Sequence, residues 1–302
     1  MNRTNRSATA LRPLSLVQGS LSRADGSASF SFGPVTVLAS LTGPAEVRLR
    51  DELVDRATLE INVRPLRGQG GPPIKLAEET LRRLFSPLIL LHLYPRALLQ
   101  LTIQTTSLPS TTFSKAFSTD PSFATDDVKG KGKAPRGVGA GAGEKAARVN
   151  AAMMALVDGG VQCRGMLVAV AVAFLPSSSS EGDEEEEEIR LDPSPAEEDE
   201  ALSTHICVFS FGQGMGGQEG TCVGVDSLGR FTEDQLFEAQ DLAQTAAQTV
   251  LGFIRKSVET KYGVTSAPAP AQVRPAAAGG GEEGVGEEEE EADSDDEVMI
   301  DA

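Results

Sequence analysis

"EKAARVNAAMMALVDGGVQCRGMLVAVAVAF", residues 144–174, decides how the rest of the chain is read. In its first half Val149, Met153, Leu156 and Val157 recur at steps of three and four, which predicts a helix with one apolar stripe. Gly159 and Gly160 stop that helix. The second half, 165–174, is an uninterrupted apolar run containing Val168, Val170 and Val172, the pattern of a buried strand. The run 166–175 is far too short to cross a bilayer as a helix.

Further along the chain, "LSTHICVFSF" (202–211) and "TCVGVD" (221–226) read as two more strands, with Gly-rich "GQGMGGQEG" (212–220) as a flexible turn between them. That turn lacks the strand–loop–helix setting and the Lys-Ser/Thr pair of a nucleotide loop. A long helix begins at Thr232, where Thr232 and Gln235 fit a capping box. Towards the N-terminus, 26–32 and 35–41 alternate apolar and small polar residues around Gly33-Pro34, a hairpin closed by Gly43-Pro44. Asp25 and Glu46 have no evident partner there. Residues 57–65 form a third strand. Residues 74–93 carry helical spacing through Ala77, Leu81, Leu84, Leu88 and Leu91, with a kink expected at Pro87. Residues 97–106 form a further strand. The order is that of a mixed α+β domain.

Three segments, 107–143, 176–188 and 263–302, are too poor in large apolar residues to join a core. Residues 1–17 are expected to be a flexible N-terminus, 18–262 the folded domain with insertions at 107–143 and 176–188, and 263–302 a disordered acidic tail. Of the net charge of −17, the tail contributes −11 and "EGDEEEEE" (181–188) contributes −7, so the folded body is nearly neutral. Overall acidity therefore does not exclude a nucleic-acid partner. Cys163, Cys207 and Cys222 have no metal-ligand spacing and read as reduced thiols of an intracellular protein. The start "MNRTNRSATA" has no apolar core and is not a secretory signal.

Three quoted stretches resemble the ribonuclease PH family. "RADGSASFSFGPVTVLASLTGPAEV" is similar to that family's opening hairpin, "AAMMALVDGGVQCRGMLVAVAVAF" to its phosphate-loop helix and following strand, and "DSLGRFTEDQLFEAQDLAQTA" to its closing turn and helix. The resemblance covers most of 18–106 and 144–260, and it is nearest to ring subunits of the eukaryotic RNA exosome. It implies a single RNase PH-like domain in a six-membered ring of such subunits, topped by RNA-binding cap proteins. It also implies RNA as a partner, a nuclear and nucleolar location extending to the cytoplasm, and no membrane.

The same resemblance locates a candidate site. Phosphorolysis of RNA needs cations to hold inorganic phosphate and a carboxylate pair for metal or proton transfer. Active members have a Gly-Gly-Thr-Arg loop at a helix N-terminus, where backbone donors favour an anion. Here that loop falls at Ala142-Gly143-Glu144-Lys145, with Lys145 in the arginine position and Glu144 adding an anion. The second phosphate-holding arginine falls near Ser86-Pro87, where a register slip would bring in Arg83. Asp192 and Glu198 stand at the spacing of the family's acidic pair, as a vestigial site or because an acid-rich stretch supplies that spacing by chance. The resemblance thus implies loss of phosphorolysis, with no cofactor and no bound metal. The alternative is a phosphate-dependent 3′→5′ exoribonuclease using Lys145, Asp192 and Glu198.

Arg64, Arg67 and Arg96 are candidates for touching RNA phosphates, against the plainer reading of solvated or ion-paired arginines. His92 and His205 are isolated, without a metal-binding or triad setting. "KGKGKAPR" (129–136) reads as a solvated insertion or, alternatively, a weak nuclear signal or RNA tether. A third functional reading gives the acidic runs a role in binding basic proteins.

Overall fold

The computed structural model describes residues 6–66, 71–109, 140–176, 187–212 and 217–263. Arg67 and 129–136 lie outside them, as do most of the acidic run and 264–302. In chain order the elements are β1 (Leu14–Gln18), β2 (Gly26–Phe32), β3 (Val35–Glu46), β4 (Thr58–Arg64), α1 (Pro72–Phe85), β5 (Ala97–Ser107) and α2 (Ala142–Asp158). They continue with β6 (Met166–Pro176), β7 (Glu187–Leu191), α3 (Pro195–Glu200), β8 (Ser203–Gly212), β9 (Gly217–Gly229) and α4 (Glu233–Tyr262).

One sheet has the order β1-β2-β3-β5-β4 and the other β7-β6-β8-β9. All neighbours run antiparallel except β4 and β5, which are joined through α1. Helix α2 packs against β2 and β3 of the first sheet and β6 of the second, and α4 packs on β6, β8 and β9.

Placement between two sheets explains the composition of α2. A single stripe would leave one face for water, but Ala146, Ala147, Ala151, Ala152 and Ala155 are buried together with Val149, Met153 and Leu156. The alanines let backbone approach backbone, and the larger residues fill the wider gaps. Asn150 is fully buried within this apolar helix. Its Nδ2 donates to the Ala169 carbonyl (3.0 Å) and its Oδ1 accepts from the Ala169 N–H (2.8 Å). Ala169 pairs with Val208 on its other side, whereas β7 pairs only from Val172 onward, so Asn150 satisfies backbone groups that no strand reaches.

The quoted hairpin and the quoted helix meet end to end. A Cβ on Gly26 would lie 2.4 Å from the Ala155 carbonyl oxygen, and one on Gly159 would lie 2.6 Å from Leu41 Cδ2. Asp158 then accepts from the Ser27 N–H at 2.9 Å and pairs with Lys261 of α4. Asp25 has a partner after all: its Oδ2 accepts from the Gly43 N–H at 2.8 Å, which holds the end of the hairpin.

Several boundaries differ from expectation. Residues 6–18 are not a free leader: β1 pairs with β2 throughout its length, and Arg6 and Arg12 reach Asp192. Strand β3 continues through Gly43-Pro44 to Glu46, with a register shift between Thr42 and Ala45. Pro87 ends α1 rather than kinking it, because it has no N–H to extend the ladder. The chain then crosses by Leu90 N–H to Gln162 O and Arg164 N–H to Leu88 O. The outer limits of two insertions belong to the fold. Ala142 and Gly143 form the buried first turn of α2, and Glu187 and Glu188 pair with Pro176 and Leu175. The expected Gly-rich turn is already strand from Gly217. Edge strand β4 is partly closed by Glu78 of α1, whose Oε1 accepts from the Val63 N–H at 3.0 Å.

Gly26→Ala is expected to lower the unfolding free energy by about 1–3 kcal/mol through overpacking against backbone. In α4, a Cβ on Gly252 meets nothing within 4 Å. Gly252→Ala is therefore expected to raise stability by about 0.5–1 kcal/mol. Urea unfolding followed by circular dichroism checks both, and the two signs must be opposite.

Candidate functional site

The first turn of α2 brings several of the sequence-selected residues to one place. Gly141 caps the helix without a side-chain partner for the amides. The donor at Gly143 is instead taken by Glu198, whose Oε1 accepts from its N–H at 3.0 Å. Glu198 comes from α3, a short helix fixed by a capping box between Ser194 and Glu197. Burial pushes the Glu198 carboxyl up, opposed by the Gly143 N–H and the nearby Arg12 guanidinium.

Asp192 lies at the same end, in a left-handed backbone conformation (φ 47°). It is almost wholly buried and does not face an open site. Arg12 grips it bidentately, Nε to Oδ2 at 2.8 Å and Nη2 to Oδ1 at 2.5 Å, and the Arg12 N–H donates to Oδ2 at 2.9 Å. Arg6 adds contacts from Nη1 at 3.4 Å to Oδ2 and from Nη2 at 2.8 Å to the Asp192 carbonyl. A bidentate arginine–carboxylate pair with further donors fixes the geometry of the carboxylate.

Both charged residues of the phosphate loop are paired. Glu144 does not sit beside the helix end as a free anion. It is buried under the helix, accepting from Thr105 Oγ1 and from Arg148 Nη2, both at 2.5 Å. Lys145 faces β9, with its Nζ 2.7 Å from Asp226 Oδ2. The cleft at this helix end is lined by Arg12, Gly141, Gly143, Glu144, Pro195 and Glu198 and has room for about one water molecule.

Ser86 and Pro87 are elsewhere. They line a separate cleft with Asp55, Arg56, His92 and Arg164, beside the residues that follow α2. Helix α2 has 17 residues, so its two ends are about 24 Å apart. Arg83 does not reach the α2 N-terminus: its Nε donates to Glu79 Oε1 at 3.1 Å on the exposed face of α1.

Arg64 is exposed at the end of β4, whereas Arg96 precedes β5 and pairs with Glu52 at 3.4 Å. Because β4 and β5 are parallel, these arginines stand at opposite ends of the pair, whose six residue rises span about 20 Å. They do not form one patch. His92 is exposed. His205 is fully buried, 2.8 Å from Ser227 Oγ through Nδ1 and 3.0 Å from Ser203 Oγ through Nε2, between Phe174 and Phe231. Burial lowers its pKa, so the ring is neutral at pH 7. Burial also raises the thiols of Cys163 to about 11 and Cys207 to about 12. Among the described residues no three His, Cys, Asp or Glu side chains converge as a metal site, and no helix is long and apolar enough to cross a membrane.

Sequence reasoning missed Arg6 and Arg12. Their target lies 186 and 180 positions away, and no local pattern marks such a pair.

Two sheets around a buried helix, closed by a C-terminal helix, with an acidic pair at the helix N-terminus, define the class. The chain belongs to the 3′ exoribonuclease family: that family's domain 1, RNase PH, matches residues 10–162. The chain is 31% identical over 241 residues to exosome complex component RRP46 of Saccharomyces cerevisiae, covering 80% of this chain and 93% of that protein. It is 25% identical over 261 residues to exosome complex component Rrp41 of Archaeoglobus fulgidus, covering 83% and 84%. The crystal structure of rice (Oryza sativa) Rrp46 has the same fold, with a TM-score of 0.64 at 23% identity over 85% of this chain and 100% of that one.

Asp192→Asn leaves Arg12, whose side chain is only 9% exposed, without its counter-charge. A loss of about 3 kcal/mol of stability is expected, measured by chemical denaturation. His205 generates a pH dependence. Its folded-state pKa is depressed, so as pH falls through about 6.5 the unfolded chain takes up a proton that the folded chain does not. Stability therefore drops on acidification from pH 7.5 to 5.5, by at most about 1.4 kcal/mol per pH unit from this group. His205→Gln flattens that part of the profile.

Proposed function

We propose that this chain is a non-catalytic structural subunit of an RNA exosome ring, supporting 3′→5′ RNA processing and degradation, including maturation of ribosomal RNA. The observation that carries the reading is the state of the acidic pair. Asp192 is neutralised by Arg12 and Arg6, and Glu198 is seated on the amides of α2. Chemistry on a phosphate needs mobile or open acceptors for a metal or proton and free cations for the anion. Here the acceptors are committed to the fold, and Lys145 forms a surface pair with Asp226.

The family relationship supports partners of the same kind: other RNase PH-like ring subunits, with RNA-binding cap proteins and RNA itself. A ring subunit needs apolar surface and strand edges to offer its neighbours. Strand β9 is the outer strand of its sheet, and Val225, Leu228, Phe231 and Phe237 are exposed along it and the start of α4. Exposed aromatic and aliphatic side chains beside an edge strand favour burial against another chain. Within the ring, Arg64, Arg67 and Arg96 are the residues we assign to RNA backbone contact, with Arg64 and Arg96 at separate points rather than in one patch. A nuclear and nucleolar location, with a cytoplasmic share, accords with this role.

The test uses the full chain, alone and co-expressed with the other ring subunits of its source. It is expected to co-purify with them in stoichiometric amounts. End-labelled single-stranded RNA incubated with phosphate and Mg²⁺ is expected to release no nucleoside diphosphate attributable to this chain. Phosphate-dependent release that disappears in Lys145→Ala and Asp192→Ala would establish the exoribonuclease reading instead.

A further inference from the structure

We propose that the N-terminal end of α2 is shut by an ionic plug that the chain supplies to itself, with Glu198 seated on the helix amides and Arg12 lying across them, and that this plug keeps tetrahedral oxyanions out. The inference rests on the non-catalytic reading above and gives it a physical cause other than the replaced loop residues.

Steric evidence comes from the two glycines. A Cβ on Gly141 would lie 2.5 Å from Glu198 Oε2, and one on Gly143 would lie 2.6 Å from Arg12 Nη2. The space beside these glycines is therefore filled by the chain's own carboxylate and guanidinium, and what remains holds about one water molecule. The hydrogen bonds agree, since the Gly143 N–H donates to Glu198 and the Arg12 fork is satisfied by Asp192.

Charge adds to this exclusion. Asp192 cancels Arg12, so the guanidinium at the mouth offers an incoming anion no unmatched charge. An approaching phosphate finds the Gly143 amide already occupied by Glu198, and the side chain of Lys145 is paired with Asp226. Glu198 is also tethered. It stands on a helix locked by the Ser194–Glu197 capping box, so it competes at a high effective concentration against any free ion.

The experiment titrates inorganic phosphate into the full chain by calorimetry, with sulfate at matched ionic strength as a second tetrahedral oxyanion. The Gly143 amide is followed by NMR after glycine-selective labelling. Wild type is expected to show no saturable binding and an unmoved Gly143 resonance. Glu198→Ala removes the resident anion and is expected to bind both oxyanions with an apparent Kd at least about tenfold below any wild-type value. Glu198→Gln keeps the shape and the acceptor but not the charge, and falls between the two; if the alanine variant does not fold, the glutamine variant against wild type decides. Saturable phosphate binding by wild type that moves Gly143, or folded Glu198 variants that bind no better than wild type, overturns the plug. Failure of the plug is separable from failure of the non-catalytic reading. Phosphate binding without nucleoside diphosphate release sinks only the former, whereas release by the wild-type chain sinks the latter.

Discussion

A helix with sheet on two sides has no face to give to water, and most of this molecule follows from that constraint. Helix α2 must be narrow where backbone meets backbone and must supply partners for strand backbone groups that no other strand reaches. Alanine provides the first and Asn150 the second, by bonding both backbone groups of Ala169. The constraint extends to both ends of the helix. At the C-terminal end Gly26 and Gly159 permit an approach that a methyl group would block. At the N-terminal end the amides, shielded from bulk water, are met by a carboxylate from another element. Burying a polar group without a partner costs several times what a typical exposed pair contributes, so these contacts are fixed features of the fold.

The candidate site is best understood as electrostatic accounting within that frame. Each acidic group singled out as a chemical candidate has an internal counterpart: Asp192 with Arg12 and Arg6, Glu144 with Arg148 and Thr105, Glu198 with the α2 amides. Lys145, the one base in the loop, is matched by Asp226. These groups tie the N-terminal segment, α2 and α3 to one another.

Much of the fold was legible because its signals are local. The Gly33-Pro34 hairpin, the β-branched run at 166–174, the capping box at Thr232 and the helix stop at Gly159 each announce themselves within a few residues. What stayed hidden depended on distance in sequence. Nothing near Leu14 foretells that it pairs as a strand with Phe32, and nothing near Arg12 foretells Asp192. The stripe on α2 was half of the truth, because alanine gives no periodic signal even where it is buried. The acidic pair was found by spacing carried over from the family. Its state was not legible, since side-chain pairing across 180 positions leaves no pattern in either stretch.

Asp158 has a consequence for how the protein is made. It joins Ser27 of the opening hairpin, its own place at the end of α2, and Lys261 near the end of α4. Those contacts span 131 and 103 positions. During synthesis the hairpin can form early, but β6 and β8 keep an apolar face uncovered until the residues of α4 have left the ribosome. At about 5–20 residues per second, the interval between completing α2 and completing α4 is several seconds or more. A nascent chain in that interval presents sticky sheet surface, which favours capture by a chaperone or by a partner subunit before release.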